Sequence, residues 1–207
     1  MNITFYFDPS CPFCWITSRW LIQVQDQRNL KIDWQPFSLA QKNGAFETDT
    51  QDTFAAAHVA AHRVLRVIEA ADADKGELYT AFGTRYHIYG EQYDDKCIAA
   101  VLADLHLPAE LARAADSTDY DETIRGSMES AVAVAGNNIG VPVIVFDING
   151  KKTGYFGPVL QRLPSVTESL KLWDGLQALA ANPDFYELKR TRPEGGPETA
   201  STAVCIT

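Results

Sequence analysis

The chain contains 207 residues, 46% of them hydrophobic, and carries a formal net charge of −9. This length and apolar content suffice for a full core, and we expect one domain with an insertion rather than two independent units. The negative charge argues against nucleic acids and anionic membranes as partners. No apolar run reaches the length of about 18 residues that spans a bilayer, and the first residues lack a signal-peptide pattern, so we expect a cytoplasmic protein.

The first predicted strand covers residues 2–7, where large apolar side chains alternate in the period-two pattern of a strand. The segment 8–10 then ends this strand. Pro12 suits the first turn of a helix, because the N–H that proline lacks would have no partner at that position. The sequence therefore predicts a strand, a short loop and a helix that begins with the motif Cys11-Pro12-Phe13-Cys14.

The two cysteines of this motif differ in their expected chemistry. Cys11 lies at the predicted helix N-terminus, where free N–H groups and the positive end of the helix dipole favour a thiolate. A lowered pKa makes that thiol a better nucleophile near neutral pH. Cys14 lies one turn further along the helix, within reach of the Cys11 sulfur, and can resolve a mixed disulfide. The motif therefore predicts a redox dithiol in which Cys11 attacks and Cys14 resolves.

A CxxC motif can also bind zinc or form a permanent structural disulfide. Zinc takes about four protein ligands, and the sequence offers no second CxxC to complete such a set. His58 and His62 are four residues apart on a predicted helix, but no third ligand lies near them, so a polar helix face is favoured. A disulfide across so short a loop would restrict the unfolded chain little. We therefore predict a redox centre and no metal site.

The later elements follow in an order that is typical of one fold. They are a strand at 30–39, helices across 48–135, a β-branched strand at 141–146, a returning strand at 153–156 and a helix at 160–180. Asn149-Gly150 between the two later strands is a hairpin signal. This order predicts an α/β protein with a thioredoxin fold and a large helical insertion.

The predicted division of the chain follows from this order. Residues 1–192 form a single domain, with the thioredoxin core at 1–42 and 138–192 and the insertion at about 43–137. The last residues, 193–207, are rich in Gly, Pro, Thr and Ser, which predicts a disordered tail.

A proline before the third core strand faces the dithiol in the thioredoxin fold, and Pro142 is the candidate here. We predict a cis peptide bond between Val141 and Pro142. Such a bond would turn the Val141 backbone toward an extended disulfide partner. The predicted cleft around the thiols is therefore lined by Pro12, Phe13, Val141 and Pro142.

Six segments also carry a resemblance to known proteins. They are Phe7-Asp8-Pro9, Trp15-Ile16-Thr17-Ser18-Arg19-Trp20, Ser38-Leu39-Ala40, Leu107-Pro108-Ala109-Glu110-Leu111-Ala112, Phe156-Gly157-Pro158-Val159-Leu160 and Glu187-Leu188-Lys189-Arg190-Thr191-Arg192. With them the chain resembles the DsbA family, and within it the actinobacterial mycothiol-dependent reductases, which include nitroreductases. The similarity covers nearly all of residues 2–192.

The resemblance implies a cytoplasmic, DsbA-like oxidoreductase with mycothiol, a low-molecular-weight thiol, as its electron-donating co-substrate. Cys11 would attack disulfides, mycothiol mixed disulfides or small electrophilic compounds, including nitro compounds. The resemblance also places Asn43 over the cleft as a ligand contact. It gives His87 a position at a helix end, where the side chain either lines the cleft or caps the helix.

Three residues depart from the nitroreductase pattern. Phe13, Met128 and Val141 stand where those enzymes carry tryptophan, histidine and threonine, respectively. Each change makes the cleft smaller or more apolar, so the resemblance supports thiol chemistry more strongly than nitro reduction.

Two other classes of function remain open. Glutathione transferases of the kappa class and 2-hydroxychromene-2-carboxylate isomerases share the inserted architecture, but they typically carry serine in place of Cys11 and need no second thiol. Cys14 therefore argues against this class. A holdase that binds peptides without redox turnover is the other alternative, and a Cys14 substitution distinguishes it, because only a dithiol pathway depends on that residue.

Overall fold

A computed structural model describes residues 1–48, 52–192 and 194–205. Its centre is a four-stranded mixed sheet in the order β2-β1-β3-β4. The strands are β1 (Asn2–Phe7), β2 (Lys31–Pro36), β3 (Val143–Ile148) and β4 (Lys151–Phe156). β1 pairs parallel with β2 and antiparallel with β3, and β3 and β4 form an antiparallel hairpin. This sheet confirms the predicted thioredoxin fold.

Seven α-helices surround the sheet within the described residues. They are α1 (Pro12–Arg28), α2 (Leu39–Asn43), α3 (Thr53–Ala70), α4 (Lys75–Gly83), α5 (Asp95–Asp104), α6 (Asp121–Ala135) and α7 (Val166–Ala180). Helices α2 to α6 lie between β2 and β3 in the chain. Of these, α3 to α6 lie in the region 43–137 where the sequence predicts an insertion, whereas α2 lies almost wholly in the predicted core. None of the helices in the described residues is long and apolar enough to cross a membrane.

Local sequence signals account for several of these boundaries. Ser165 and Glu168 form a reciprocal capping box at the start of α7. Asp94 caps α5 by accepting the backbone N–H of Cys97. The predicted hairpin turn has φ angles of 56° at Asn149 and 79° at Gly150, the left-handed geometry that a two-residue hairpin loop requires.

Large buried aromatic residues join the helices to the sheet. Trp173 of α7 lies 5.6 Å from Phe146 of β3 and 5.8 Å from Trp20 of α1, measured between ring centroids. Phe7 at the end of β1 lies 4.2 Å from Tyr79 of α4. These contacts fix α1, α4 and α7 against the sheet, and therefore fix the N-terminus of α1, where the dithiol is located.

The prediction of a disordered tail is wrong for residues 194–205. Residues Thr199–Cys205 form a 3₁₀ helix that contacts α1. Trp15 Nε1–H donates to Thr202 Oγ1 at 2.8 Å, and the Leu163 N–H donates to Ser201 Oγ at 2.9 Å. Polar composition indicated disorder, but these hydroxyl groups instead satisfy donors on the body of the protein. Residues 193, 206 and 207 of the predicted tail lie outside the described residues.

Candidate active site

The dithiol lies where β1 passes into α1. The Cys11 N–H donates to the Asp8 carbonyl at 3.1 Å, which closes the loop between the two elements. Cys11 is the N-cap of α1, with its Sγ atom accepting the Cys14 N–H at 3.5 Å. Both thiols are free and buried, but Cys11 keeps 7% exposure whereas Cys14 has none. Cys11 is therefore the more accessible of the two residues.

The two thiols have opposite pKa shifts. The pKa of Cys11 is lowered, chiefly by its hydrogen bond with the Cys14 side chain and further by the N–H groups of Cys14 and Phe13. These effects outweigh burial and the Asp8 carboxylate, which both raise it. Burial, followed by the interaction with Cys11, raises the pKa of Cys14 well above its ordinary value. This asymmetry supports Cys11 as the attacking thiol and Cys14 as a thiol that ionises late.

The peptide bond between Val141 and Pro142 is cis, as predicted. The Val141 carbonyl oxygen lies 3.6 Å from the Cys11 sulfur. The structure therefore places this loop against the dithiol although the two are 130 residues apart in sequence. A second cis bond, between Gly157 and Pro158, was not predicted. Its Pro158 carbonyl accepts the Thr17 hydroxyl of α1 at 2.7 Å.

Asp8 is a fully buried carboxylate in the loop before the dithiol. One oxygen, Oδ1, accepts the Ser10 N–H at 2.8 Å and the Ser10 hydroxyl at 2.5 Å. The other, Oδ2, accepts the Leu39 N–H at 2.7 Å and so ties the loop to the start of α2. Burial raises the pKa of Asp8, and these hydrogen bonds partly offset the effect. The sequence analysis noted this residue only as part of a motif and missed its role in holding the loop.

His87 supports the same loop from the insertion. It lies in a π-helical turn, Thr84–Ile88, directly after α4, a local geometry often found at functional sites. The Nε2–H donates to the Pro9 carbonyl at 2.8 Å, and the ring stacks on Trp15 at 5.4 Å. Burial lowers the pKa of His87 to about 4, so the imidazole is neutral near pH 7. The hydrogen bond goes to the active-site loop rather than to a helix end.

Three further residues, Pro12, Phe13 and Asn43, were predicted to line the cleft. Pro12 and Phe13 are half-buried at the start of α1. The guanidinium of Arg192 lies 5.0 Å from the Phe13 ring centroid, a contact that sequence reasoning missed. Asn43 is exposed as the last residue of α2, and its predicted ligand contact remains a prediction.

The sequence predicted that His58 and His62 lie on a polar helix face. This prediction is wrong for His62, because its side chain is fully buried. Its Nδ1 lies 2.8 Å from Ser38 Oγ and its Nε2 lies 2.9 Å from Asp121 Oδ1. Burial lowers the pKa of His62, and Asp121 partly offsets that effect. Three-residue His, Cys, Asp or Glu clusters able to hold a metal ion are absent from the described parts of the chain.

The mixed sheet, the dithiol at the start of α1 and the facing cis proline define a DsbA-like protein of the thioredoxin fold. A family model described as Rv2466c-like, mycothiol-dependent nitroreductase Rv2466c, matches residues 10–190, and the chain belongs to that family. Membership of this family makes the chain a redox enzyme.

Among relatives, the uncharacterized protein Rv2286c of Mycobacterium tuberculosis is 32% identical over 200 residues, which span 92% of this chain and 82% of the relative. The solved structure of the cytosolic disulfide reductase DsbM from Pseudomonas aeruginosa matches 86% of this chain and 100% of its own length, with 16% identity and a TM-score of 0.59. A 2-hydroxychromene-2-carboxylate isomerase matches 86% of this chain and 96% of its own length, with 15% identity and the same TM-score. At these identities the two structures show a shared fold alone.

Proposed function

We propose that the protein is a cytoplasmic thiol-disulfide oxidoreductase that uses the Cys11–Cys14 dithiol and is reduced by mycothiol. The observation that carries the proposal is the asymmetry of the two thiols, since Cys11 is the more accessible and has the lowered pKa. The description of the family supports mycothiol as the electron donor.

The proposed reaction begins at the Cys11 thiolate. It attacks one sulfur of a disulfide, RSSR, which forms a mixed disulfide on Cys11 and releases one thiolate, RS⁻. Cys14 then loses its proton and attacks the Cys11 sulfur, so that the second RS⁻ leaves and a Cys11–Cys14 disulfide remains. The released thiolates take up protons to become thiols. The substrate gains two electrons and the enzyme dithiol loses two.

Two molecules of mycothiol complete the proposed cycle. The first attacks the Cys11 sulfur and forms a mixed disulfide, which frees Cys14. The second attacks that mixed disulfide, leaving mycothiol disulfide and the reduced enzyme. A mycothiol mixed disulfide of another small molecule would enter the same cycle at Cys11 as a substrate.

Backbone groups around the thiols affect the pKa values of both cysteines. The backbone of Asp8 acts to lower the pKa of the Cys14 thiol, against the larger effect of burial. The N–H groups of Phe13 and Cys14 stabilise the Cys11 thiolate.

Small nitro compounds form a second proposed class of electron acceptor, which the description of the family motivates. The guanidinium of Arg192 lies over the half-buried Phe13 ring beside the dithiol.

A coupled assay tests the electron donor and the activity together. The purified protein is supplied with a mycothiol mixed disulfide of a small thiol, and turnover is measured with mycothiol, glutathione or thioredoxin as the reductant. We expect sustained turnover with mycothiol and rates at least about tenfold lower with the other two, because the description of the family names mycothiol as the thiol on which its members depend.

A Cys97→Ser variant is the matched control for this assay. Cys97 is buried in α5, and burial raises its pKa to about 11, so its loss should not change the rate. Equal or faster turnover with glutathione or thioredoxin would contradict mycothiol as the donor. Absence of turnover with all three reductants would contradict the proposed activity.

A further inference from the structure

The carbonyl group of Pro9, two residues before Cys11, accepts two hydrogen bonds from the insertion. The Tyr93 hydroxyl donates to it at 3.0 Å, and the His87 Nε2–H donates to it at 2.8 Å. Pro9 is buried, and one partner is enough to satisfy a buried carbonyl group, although its two lone pairs can accept two. The second donor therefore calls for a reason beyond the satisfaction of a buried polar group.

Tyr93 is buried in a position that allows this bond at any pH near neutrality. It is 3% exposed and lies between the π-helical turn and Asp94, the N-cap of α5. Burial raises the pKa of Tyr93 well above its ordinary value. The hydroxyl therefore keeps its proton, and remains a donor, throughout the range in which the Cys11 thiol ionises.

The two donors are packed together through Tyr86. The Tyr86 ring stacks on Tyr93, with centroids 4.5 Å apart and planes 12° apart, and meets the His87 ring edge-on at 4.9 Å. His87 in turn stacks on Trp15 of α1. The Pro9 carbonyl is thus held by two side chains that belong to one packed group of aromatic rings.

This carbonyl belongs to the loop that sets the position of the Cys11 sulfur. The peptide group that Pro9 shares with Ser10 donates its N–H to Asp8 Oδ1 at 2.8 Å, and the Cys11 N–H donates to the Asp8 carbonyl at 3.1 Å. Cys11 then caps α1, with its Sγ atom accepting the Cys14 N–H at 3.5 Å. A shift of the loop would move the sulfur away from the N–H groups of the first helical turn.

We propose that Tyr93 is a positioning residue for the Cys11 thiolate. With His87, its hydroxyl fixes the Pro9 carbonyl and so keeps the Cys11 sulfur over the first turn of α1. The inference rests on the proposed function in taking Cys11 as the attacking thiol, and Tyr93 acts through the loop rather than by transfer of a proton or an electron. The insertion thereby contributes to the reactivity of Cys11, because N–H groups at a helix end stabilise a thiolate only while the sulfur lies within their reach.

Tyr93→Phe removes the hydroxyl, keeps the ring and tests this inference. The reduced protein is alkylated briefly with iodoacetamide from mildly acidic to mildly alkaline pH, and peptide mapping gives the rate at Cys11 alone. We expect the pKa of Cys11, read from this profile, to rise by about half a unit, so that alkylation below the pKa slows about threefold. His87→Phe should act in the same direction, and the double variant should raise the pKa by about one unit or more, because the carbonyl then loses both donors.

Tyr155→Phe is the matched control, because its hydroxyl also donates to a backbone carbonyl, that of Phe185 at 2.7 Å, but lies on β4. Its Cys11 profile should match that of the wild type. A Tyr93→Phe profile at the wild-type position would overturn the inference, even with a lower melting temperature, because it would leave the hydroxyl a purely structural role. A profile moved to lower pH would overturn it as well.

The same measurement on the wild type tests the proposed function separately. Alkylation of Cys14 or Cys97 as fast as that of Cys11 would contradict Cys11 as the attacking thiol, whatever the variants do. A fast Cys11 in the wild type with an unchanged Tyr93→Phe would contradict the role of Tyr93 alone, so the two failures are distinguishable.

Discussion

Replacement of Cys11 by serine should lower kcat/KM for disulfide reduction by about a thousandfold or more. A serine hydroxyl is not ionised near neutral pH and cannot form the mixed disulfide, so the variant loses the nucleophile itself. Cys14→Ser should retain the first attack and release one equivalent of thiol, but its turnover should stop there. Steady-state rates with the mycothiol-coupled system, together with the released thiol in a single turnover, measure both effects.

The comparison of the two variants carries more information than either alone. Loss of turnover in Cys14→Ser, with a full first equivalent released, is the signature of a dithiol pathway. Turnover that survives in Cys14→Ser would instead favour a monothiol mechanism. Release of the first equivalent by Cys11→Ser, at the wild-type rate, would show that the assigned roles are reversed.

Gly83→Ala should destabilise the protein by about 3 kcal/mol, at the upper end of the usual cost of overpacking. Gly83 is the last residue of α4, and a Cβ atom there would lie 2.3 Å from Trp15 Cζ3 and 2.4 Å from Cε3. The ring cannot move away freely, because Trp15 is fully buried, stacks on His87 and bonds to Thr202. Urea denaturation of the reduced protein measures the change.

Gly175→Ala is the control for this substitution. Gly175 lies inside α7, and a Cβ atom there would meet no other atom within 4 Å. Alanine should therefore stabilise the helix by about 0.5–1 kcal/mol, through the lower entropy of the unfolded chain. An unfolding midpoint of Gly83→Ala at or above that of the wild type would show that Trp15 is not held as tightly as the contacts indicate.

The elements that sequence reasoning found depend on short segments of chain. The alternating residues of β1, the proline after Cys11 and the Asn149-Gly150 turn each specify a local geometry that neighbouring residues decide. The position of Pro142 could be predicted because the order of elements fixes which strand it precedes. These local signals were enough for the fold and for the two thiols.

The contacts that support the dithiol depend on residues far apart in sequence, and no local pattern reveals them. Trp15 and Thr202 are separated by 187 positions, and His87 and Pro9 by 78. The polar composition of the last residues indicated disorder. Composition cannot show that the Thr202 hydroxyl accepts a hydrogen bond from the buried Trp15 ring. His62 was misassigned for the same reason, since its partners Ser38 and Asp121 lie on other helices or their caps.

Trapping of the mixed disulfide tests the proposed chemistry at the atom where it begins. Cys14→Ser cannot resolve an adduct, so the variant is incubated with mycothiol disulfide and analysed by intact mass and peptide mapping. We predict one mycothiol per protein, on Cys11, with Cys97 and Cys205 unmodified, and slower modification by glutathione disulfide at equal concentration. An adduct on Cys97 or Cys205 in place of Cys11, or no adduct at all, would contradict a mycothiol-linked dithiol centre at the start of α1.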